Sequence, residues 1–330
     1  MRLRIHFTRD DLLRIRLADA PDPMWEIVNS LHLLQSGGGG LVFDRWRRGS
    51  ARRLDGGEAT RRAWRMLVLL APCASYFPDF LTPAGGHREL DAAVDSVLST
   101  PADRLGREMG RLASGGRPQP WFAALARGDA AVMGVLGEAL RTYHRGAIEP
   151  HRSAIQAAVR ADIAARTRAL LYGGGEALLD SLSPLMRWST PVLEMDYPVD
   201  RDLYLDGRGL RLVPSFFCWR HPVSYADPGL PPTVVYPVGP APGWTDPDAQ
   251  GGASGGLAAL VGPTRAWILE LVAERPATTT DLARAAGVSP ATVSKHAAVL
   301  RGAGLICSHS EGRHVLHTAT AVGMTLLAQR

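Results

Sequence analysis

The sequence predicts an α+β chain in two domains, the first mixed and mostly helical with strands at its ends, the second compact. Three observations lead to this architecture. In residues 1–240 apolar residues alternate near both ends and recur at helical spacing between them. Residues 241–256 are rich in Gly, Pro and Ala with few apolar anchors, which is typical of a linker. Residues 257–330 carry closely spaced helix signals followed by a predicted hairpin.

The N-terminal domain opens with short elements. Leu3, Ile5 and Phe7 alternate with polar residues, which predicts a strand. Thr8 is placed to cap a one-turn helix, and "RIRLA" then predicts a second strand. "PDPMWEIVNSLHLLQS" has apolar residues at helical spacing, and the four glycines at 37–40 are predicted to end this helix.

The middle of this domain is rich in Ala, Leu and Arg, which predicts helices. Gly and Pro clusters divide it into segments near residues 60–71, 87–98, 101–113, 119–127 and 129–172. After Pro191 the apolar residues alternate again, "DGRG" predicts a hairpin turn, and "PTVVYPV" predicts a further strand. Strands from the two ends of the domain could then pair into one sheet.

Composition limits the class of protein. Hydrophobic residues make up 46% and charged residues 21%, which is ordinary for a globular chain, and no apolar run approaches the roughly 18–20 residues of a membrane-spanning helix. Cys73, Cys218 and Cys307 lie far apart and form no disulfide framework, which favours a cytoplasmic protein. The net charge of +5 permits nucleic-acid binding without implying it.

The motifs of the common enzyme classes are missing from the sequence. It contains no GxSxG, no HExxH, no P-loop, and no GxGxxG after a strand. The runs "GGGG" and "GGGE" lack the flanking strand and the lysine of a phosphate cradle. The sequence therefore predicts a protein that is not an enzyme and uses no cofactor.

Three helices open the C-terminal domain. In "PTRAWILELVAE" the buried stripe is predicted to be Trp267, Ile268 and Leu271. "TTTDLARAAG" predicts a short second helix, and the third runs over 289–303 with Ser289 as its N-cap and a proline at its first position. The three-residue connection "GVS" between the last two helices predicts a helix-turn-helix, because helices joined so tightly must cross steeply.

The third helix is predicted to present one face to DNA. At 100° per residue, Val293, Ala297 and Leu300 point inward, and the outward residues are small apart from Lys295, which is the one lysine beside 36 arginines. Such a surface can approach base edges closely, and lysine can reach guanine or a phosphate. The predicted contacts on this helix are Ser289, Ala291, Thr292, Ser294, Lys295 and His296. An ordinary solvated face, with His296 packing inside the domain, is the alternative.

A β-hairpin follows at 305–319 and is predicted to form a wing. Arg313 and His314 lie at or beside its tip, where they could reach a phosphate or the minor groove, or remain solvated. "AVGMTLLAQR" then predicts a terminal helix.

The segments "TTTDLARAAGVSPATVSKHAAVLRGAGLI" and "EGRHVLHT" resemble the ArsR-type winged-helix transcriptional regulators. This resemblance implies a winged helix-turn-helix whose recognition helix and wing contact double-stranded DNA, in a homodimer formed through flanking helices. "FTRDDLLRIRLADAPDPMWEIVNSLHLL" and "YPVDRDLYLDGRGLRLVPSFFCWRHPV" are similar to a domain that precedes such winged helices in actinobacterial regulators. That similarity implies a domain architecture and does not identify a ligand.

Metal binding is not predicted. Where metal-sensing members of this family carry a cysteine pair, this chain has "DLARAAG". A zinc site in the wing is conceivable if a three-residue turn sets Cys307 opposite His317, with His309 and His314 nearby. Phosphate contacts explain histidines in a wing equally well.

The functional hypothesis is a cytoplasmic transcriptional regulator, a repressor of palindromic operators. A winged helix that contacts only proteins is the alternative. Residues 1–240 are expected to mediate assembly or to sense a signal, which could be a small-molecule effector. The eight arginines between 45 and 65 could follow a DNA backbone, but solvated faces or local ion pairs are favoured. The tryptophans of this domain are predicted to be core residues, with an apolar pocket as the alternative: Trp25, Trp46, Trp64, Trp121, Trp188 and Trp219.

Overall fold

A computed structural model describes residues 1–74, 76–114, 119–240, 244–245, 260–286, 288–311 and 314–328. Their contacts divide the chain into two compact units. The first comprises Met1–Gly38 and Arg47–Val238, and the second comprises Gly39–Trp46 and Gly239–Arg330. Across the described residues, no helix combines the length and the apolar character needed to cross a membrane.

The helices up to residue 180 are, in chain order, α1 (Arg9–Leu13), α2 (Pro23–Ser36), α3 (Gly40–Leu54), α4 (Glu58–Leu70), α5 (Leu90–Leu98), α6 (Ala102–Ser114), α7 (Phe122–Ala126), α8 (Ala130–Ala147) and α9 (Arg152–Asp180). The strands of the first unit are β1 (Arg2–His6), β2 (Arg16–Leu17), β3 (Met186–Ser189), β4 (Val192–Asp196), β5 (Arg201–Tyr204), β6 (Arg211–Ser215), β7 (Val223–Ser224) and β8 (Thr233–Pro237).

These strands form two four-stranded sheets. One has the order β3-β4-β1-β5, and the other has the order β2-β6-β8-β7. β1 pairs antiparallel with β4 and parallel with β5, and β2 pairs parallel with β6. The two ends of the domain therefore do pair, but in two sheets and not in one.

The predicted hairpin at "DGRG" is wrong, because β5 and β6 on either side of it belong to different sheets. The amide of Gly209 donates to Oδ1 of Asp11 at 2.8 Å, which holds the turn against α1. Gly209 has a φ of +71°, and a Cβ there would clash with the carbonyl oxygen of Arg14. This close approach requires glycine. It directs the chain from β5 into the second sheet, where β6 pairs with β2.

Helix boundaries differ from the sequence prediction in the helical part of the first 180 residues. α3 begins at Gly40, although the four glycines predicted only a break; Gly37, in the left-handed region at φ 65°, ends α2, and a new helix starts three residues later. The long helix predicted over 129–172 is two helices, since α8 ends at Ala147 and α9 starts at Arg152. Pro150 lies between them and lacks the amide that a continuous helix needs.

The second unit has the elements of a winged helix. After residue 260 they are α10 (Pro263–Glu274), β9 (Ala277–Thr278), α11 (Thr279–Ala286), α12 (Pro290–Gly302), β10 (Ile306–Glu311), β11 (His314–Ala319) and α13 (Ala321–Ala328). The strands form a sheet of order β10-β11-β9. The predicted stripe of α10 is buried, with Trp267, Ile268 and Leu271 each at most 8% exposed. The predicted α+β fold with a C-terminal winged helix is confirmed.

The segment Gly39–Trp46 joins the second unit through aromatic contacts. Nε1 of Trp244 donates to the carbonyl oxygen of Val42 at 2.8 Å. The ring of Phe43 meets Trp244 edge-on at 5.7 Å, and Phe43 and Trp46 are both buried. An N-terminal piece of chain therefore contributes to the core of the C-terminal unit.

Candidate nucleic-acid interface

The start of α12 is built by local side-chain chemistry. Ser289 has extended backbone angles, and its hydroxyl accepts a hydrogen bond from the amide of Thr292 at 3.1 Å. Pro290 occupies the first turn, where the missing amide costs nothing. The predicted N-cap is confirmed. Oγ of Ser289 also lies 2.9 Å from Oγ1 of Thr292, so one of their two hydroxyl protons stays within the cap and the other is free to reach outward.

The inner face of α12 is as predicted. Val293, Ala297 and Leu300 are each at most 1% exposed and share one hydrophobic cluster with Leu282 and Ala283 of α11. The apolar spacing therefore determines which side of α12 faces the domain, and hence which side faces away from it.

The outer face of α12 carries the predicted contact residues. Ser289, Ala291, Ser294 and Lys295 are exposed, while Thr292 lies half-buried at the flank. No carboxylate lies within ion-pairing distance of Lys295 in the part of the chain that the structure describes. The outer face of α12 therefore consists of small side chains and one long cationic side chain. Such a face can approach the base edges in the major groove of DNA closely.

His296 lies at the edge of this face and is half-buried. Burial lowers the pKa of its imidazole, and the positive charges of Arg265 and Lys295 lower it further. The neutral form of His296 is therefore favoured, and Lys295 is the cation on the outer face.

The wing is an antiparallel hairpin in which Glu311 pairs with His314. Arg313 lies outside the described residues, and the structure places His314 by its backbone position alone. In this register Cys307 stands opposite Thr318, and Ser308 stands opposite His317. The conceivable pairing of Cys307 with His317 is therefore wrong, because no three-residue turn separates the paired residues Glu311 and His314. Among the described side chains, no three His, Cys, Asp or Glu residues are grouped as a metal site would need.

His317 has a role that the sequence analysis missed. It is 2% exposed, and its Nδ1 lies 2.8 Å from Oγ of Ser308 while its Nε2 lies 2.9 Å from Oγ1 of Thr279. Nη1 of Arg301, in the last turn of α12, donates to the same Ser308 hydroxyl at 3.3 Å. This network joins the wing to α11 and to α12. If residues 311 and 314 are paired across a two-residue turn, counting back along both strands places Ser308 opposite His317. The sequence could therefore have indicated this contact.

Two arginines of the arginine-rich stretch, where the structure describes them, contact other residues of the chain, one nearby in sequence and one distant. Arg61 pairs with Asp55 at 3.4 Å, and Nε of Arg53 donates to the carbonyl oxygen of Gly146 at 2.5 Å.

The tryptophans of the first domain include both a core residue and a residue that lines a cavity. Trp25 is a fully buried core residue, whereas Trp219 lines a cavity in the first unit.

Comparison with known proteins matches the second unit alone. Residues 262–308 match the model of the arsR family of bacterial regulatory proteins, and this stretch covers α10, α11, α12 and the first residues of β10. Neither the curated proteins nor the solved structures provide a match. The matched stretch includes the whole exposed face of α12. The second unit is thus an ArsR-type winged helix, and the chain that carries it is a DNA-binding transcriptional regulator.

Proposed function

We propose that the protein is a homodimeric repressor that reads a palindromic operator with α12 and its wing. The observation that carries this proposal is the outer face of α12, where small exposed residues surround Lys295, a cation that meets no carboxylate among the described residues. The role requires no catalysis. It places the protein in the cytoplasm, where the chromosome of a bacterium is accessible.

The chemistry of this face fits the major groove. Ala291 and Ser294 leave room for the helix backbone to approach base edges, and Lys295 is long enough to reach the acceptor atoms of guanine. The free hydroxyl proton of the Ser289 and Thr292 pair can be donated to a phosphate. Arg313, placed at the wing by sequence alone, is proposed to meet a phosphate or the minor groove.

Dimerisation is supported by the apolar surface of the second unit. Val322 and Met324 on α13 are 62% and 49% exposed, although both are apolar. A second copy would cover them, and two recognition helices would read two half-sites about one helical turn, or a multiple of it, apart. A single recognition helix reads too few base pairs for genomic specificity.

Repression follows from occupancy when the operator overlaps a promoter. Footprinting of the purified protein on its own promoter region tests the proposal, and we expect a symmetrical protected site whose affinity falls steeply with salt. Equal binding to operator and competitor DNA at every salt concentration would favour the alternative, a winged helix that contacts only proteins.

A further inference from the structure

The first unit contains a cavity of about 790 Å³, within the size range of small-molecule sites. One wall is a face of α2 that includes Asn29 and His32. The other walls come from the segment before α5, from α6, from β5 and from the loops around β7. Its aromatic lining consists of Tyr76, Phe77, Tyr197, Tyr204, Phe217 and Trp219.

Several of these rings are held in place by other contacts. The hydroxyl of Tyr197 donates to the carbonyl oxygen of Ser224 at 3.3 Å. Tyr204 stacks on the ring of His6 at 4.3 Å, and Phe77 packs edge-on against Trp25 at 6.1 Å. The cavity therefore has fixed aromatic walls, which favour a flat, rigid guest that can stack or pack edge-on.

The two carboxylates in the lining already have partners. Asp79 accepts hydrogen bonds from the amides of Ala226 and Asp227 at 3.0 and 2.8 Å, one to each oxygen. Asp202 is paired with the guanidinium of Arg4 at 2.9 Å and with His6 at 2.8 Å. Neither carboxylate is therefore the natural partner of a cationic guest.

The guanidinium groups of the lining are not neutralised in this way. In the described part of the chain, Arg111, Arg201 and Arg208 have no carboxylate within 4.0 Å. Arg201 and Arg208 donate instead to backbone carbonyls, for example from Arg201 to Tyr225 at 2.7 Å. Arg111 lies over the ring of Tyr76 at 4.1 Å and is exposed. The lining therefore carries an excess of positive charge, and the exposed guanidinium of Arg111 rests on an aromatic wall.

We propose that this cavity binds a small aromatic acid, with its rings against the aromatic walls and its anionic group at Arg111. Positive charge without a carboxylate partner favours an anion, and a guanidinium binds a carboxylate or sulfonate through charge-assisted hydrogen bonds. The site lies wholly within the first unit and exists whether or not the second unit reads an operator.

Two fluorescent probes with related ring systems test the charge requirement. Anilinonaphthalene sulfonate is anionic, and N-phenylnaphthylamine lacks its sulfonate. Both are titrated into the full-length protein. We expect saturable binding of both at one site, with the anionic probe binding more tightly.

Variants then assign the site. Arg111→Gln should raise the dissociation constant of the sulfonate about threefold to tenfold and leave that of the neutral probe unchanged. Arg111→Lys should recover part of the loss. Arg107→Gln is the matched control, because Arg107 lies one turn away on α6, is paired with Asp103 and is not part of the lining. Cys73→Trp, at an exposed position of the lining, should block both probes.

Three results would overturn the proposal: equal affinity for the two probes, no effect of Arg111→Gln on the sulfonate, or unchanged binding in Cys73→Trp. Thermal unfolding of each variant shows whether it remains folded. None of these measurements involves DNA, so their failure leaves the proposed operator binding intact.

Discussion

Nδ1 of His317 lies 2.8 Å from Oγ of Ser308, across the two strands of the wing. The other ring nitrogen lies 2.9 Å from Oγ1 of Thr279, at the start of α11. A neutral imidazole has one donor and one acceptor, and each finds a hydroxyl here. The wing is thereby tied to the helix-turn-helix through one buried side chain.

Replacing His317 should loosen this connection. We expect His317→Ala to lower the free energy of unfolding by about 1–3 kcal/mol, because a buried side chain is lost and the hydroxyl groups of Ser308 and Thr279 each lose one hydrogen bond. Thermal or denaturant unfolding measures the change. His309→Ala is the control, since His309 is an exposed histidine on the same hairpin. Equal effects of the two substitutions would contradict the structural role of His317.

The same histidine predicts a pH dependence. Burial, with a contribution from Arg301, lowers the pKa of His317 below its ordinary value. The unfolded chain therefore binds a proton more readily, and stability should fall as the pH drops below about 6.5 toward the folded-state pKa. This loss of stability should be smaller in His317→Ala. The free energy of unfolding of the wild-type protein and of the variant is measured from pH 5 to 8. Parallel curves for the two proteins would argue against the prediction.

Lys295→Ala tests the proposed recognition face. If Lys295 reads a base, its removal should cost about 1–3 kcal/mol on the operator and relax the preference at one position per half-site. Anisotropy titrations on operator and scrambled duplexes across a salt series measure both effects. Arg284→Ala is the control, because Arg284 is exposed on α11 and paired with Asp281 at 3.2 Å. An unchanged affinity and base preference in Lys295→Ala would show that this face does not read DNA.

Substitutions at Ser289 and Ser294 distinguish a helix-capping role from a contact with DNA. Ser289→Ala should destabilise the second unit by about 0.5–2 kcal/mol, because the amide of Thr292 loses its acceptor. Ser294 is exposed in the middle of α12, so Ser294→Ala should leave stability within about 0.5 kcal/mol and affect operator affinity alone. Unfolding and operator titrations on both variants provide the comparison. Equal stability of the two variants would rule out the capping role.

A charged substitution on α13 tests whether two copies of the chain assemble through this helix. Val322→Asp should produce a monomer and weaken operator binding, because an apolar surface between two copies does not accept an unpaired carboxylate. Light scattering on the free protein and on its DNA complex measures the assembly. Tyr172→Asp is the control, since Tyr172 is 90% exposed in the first unit. A wild-type protein that is monomeric both free and on DNA would exclude the homodimer.

The sequence alone determined the helix-turn-helix and the facing of its recognition helix. Ser289, Pro290 and the spacing of Val293, Ala297 and Leu300 act within a few residues of one another, so their consequences can be predicted without knowing the rest of the fold. The contact of these outward residues with DNA remains a prediction.

Only the tertiary structure decided where the strands and the buried polar groups belong. "DGRG" looked like a hairpin, but the close approach of Gly209 to Arg14, distant in the chain, sends β5 and β6 to different sheets. His317 looked like a metal-ligand candidate until the hairpin register placed Ser308 opposite it. The excess charge of the cavity depends on which arginines meet a carboxylate. Contacts between residues far apart in sequence decide all three features, and local periodicity carries no information about such contacts.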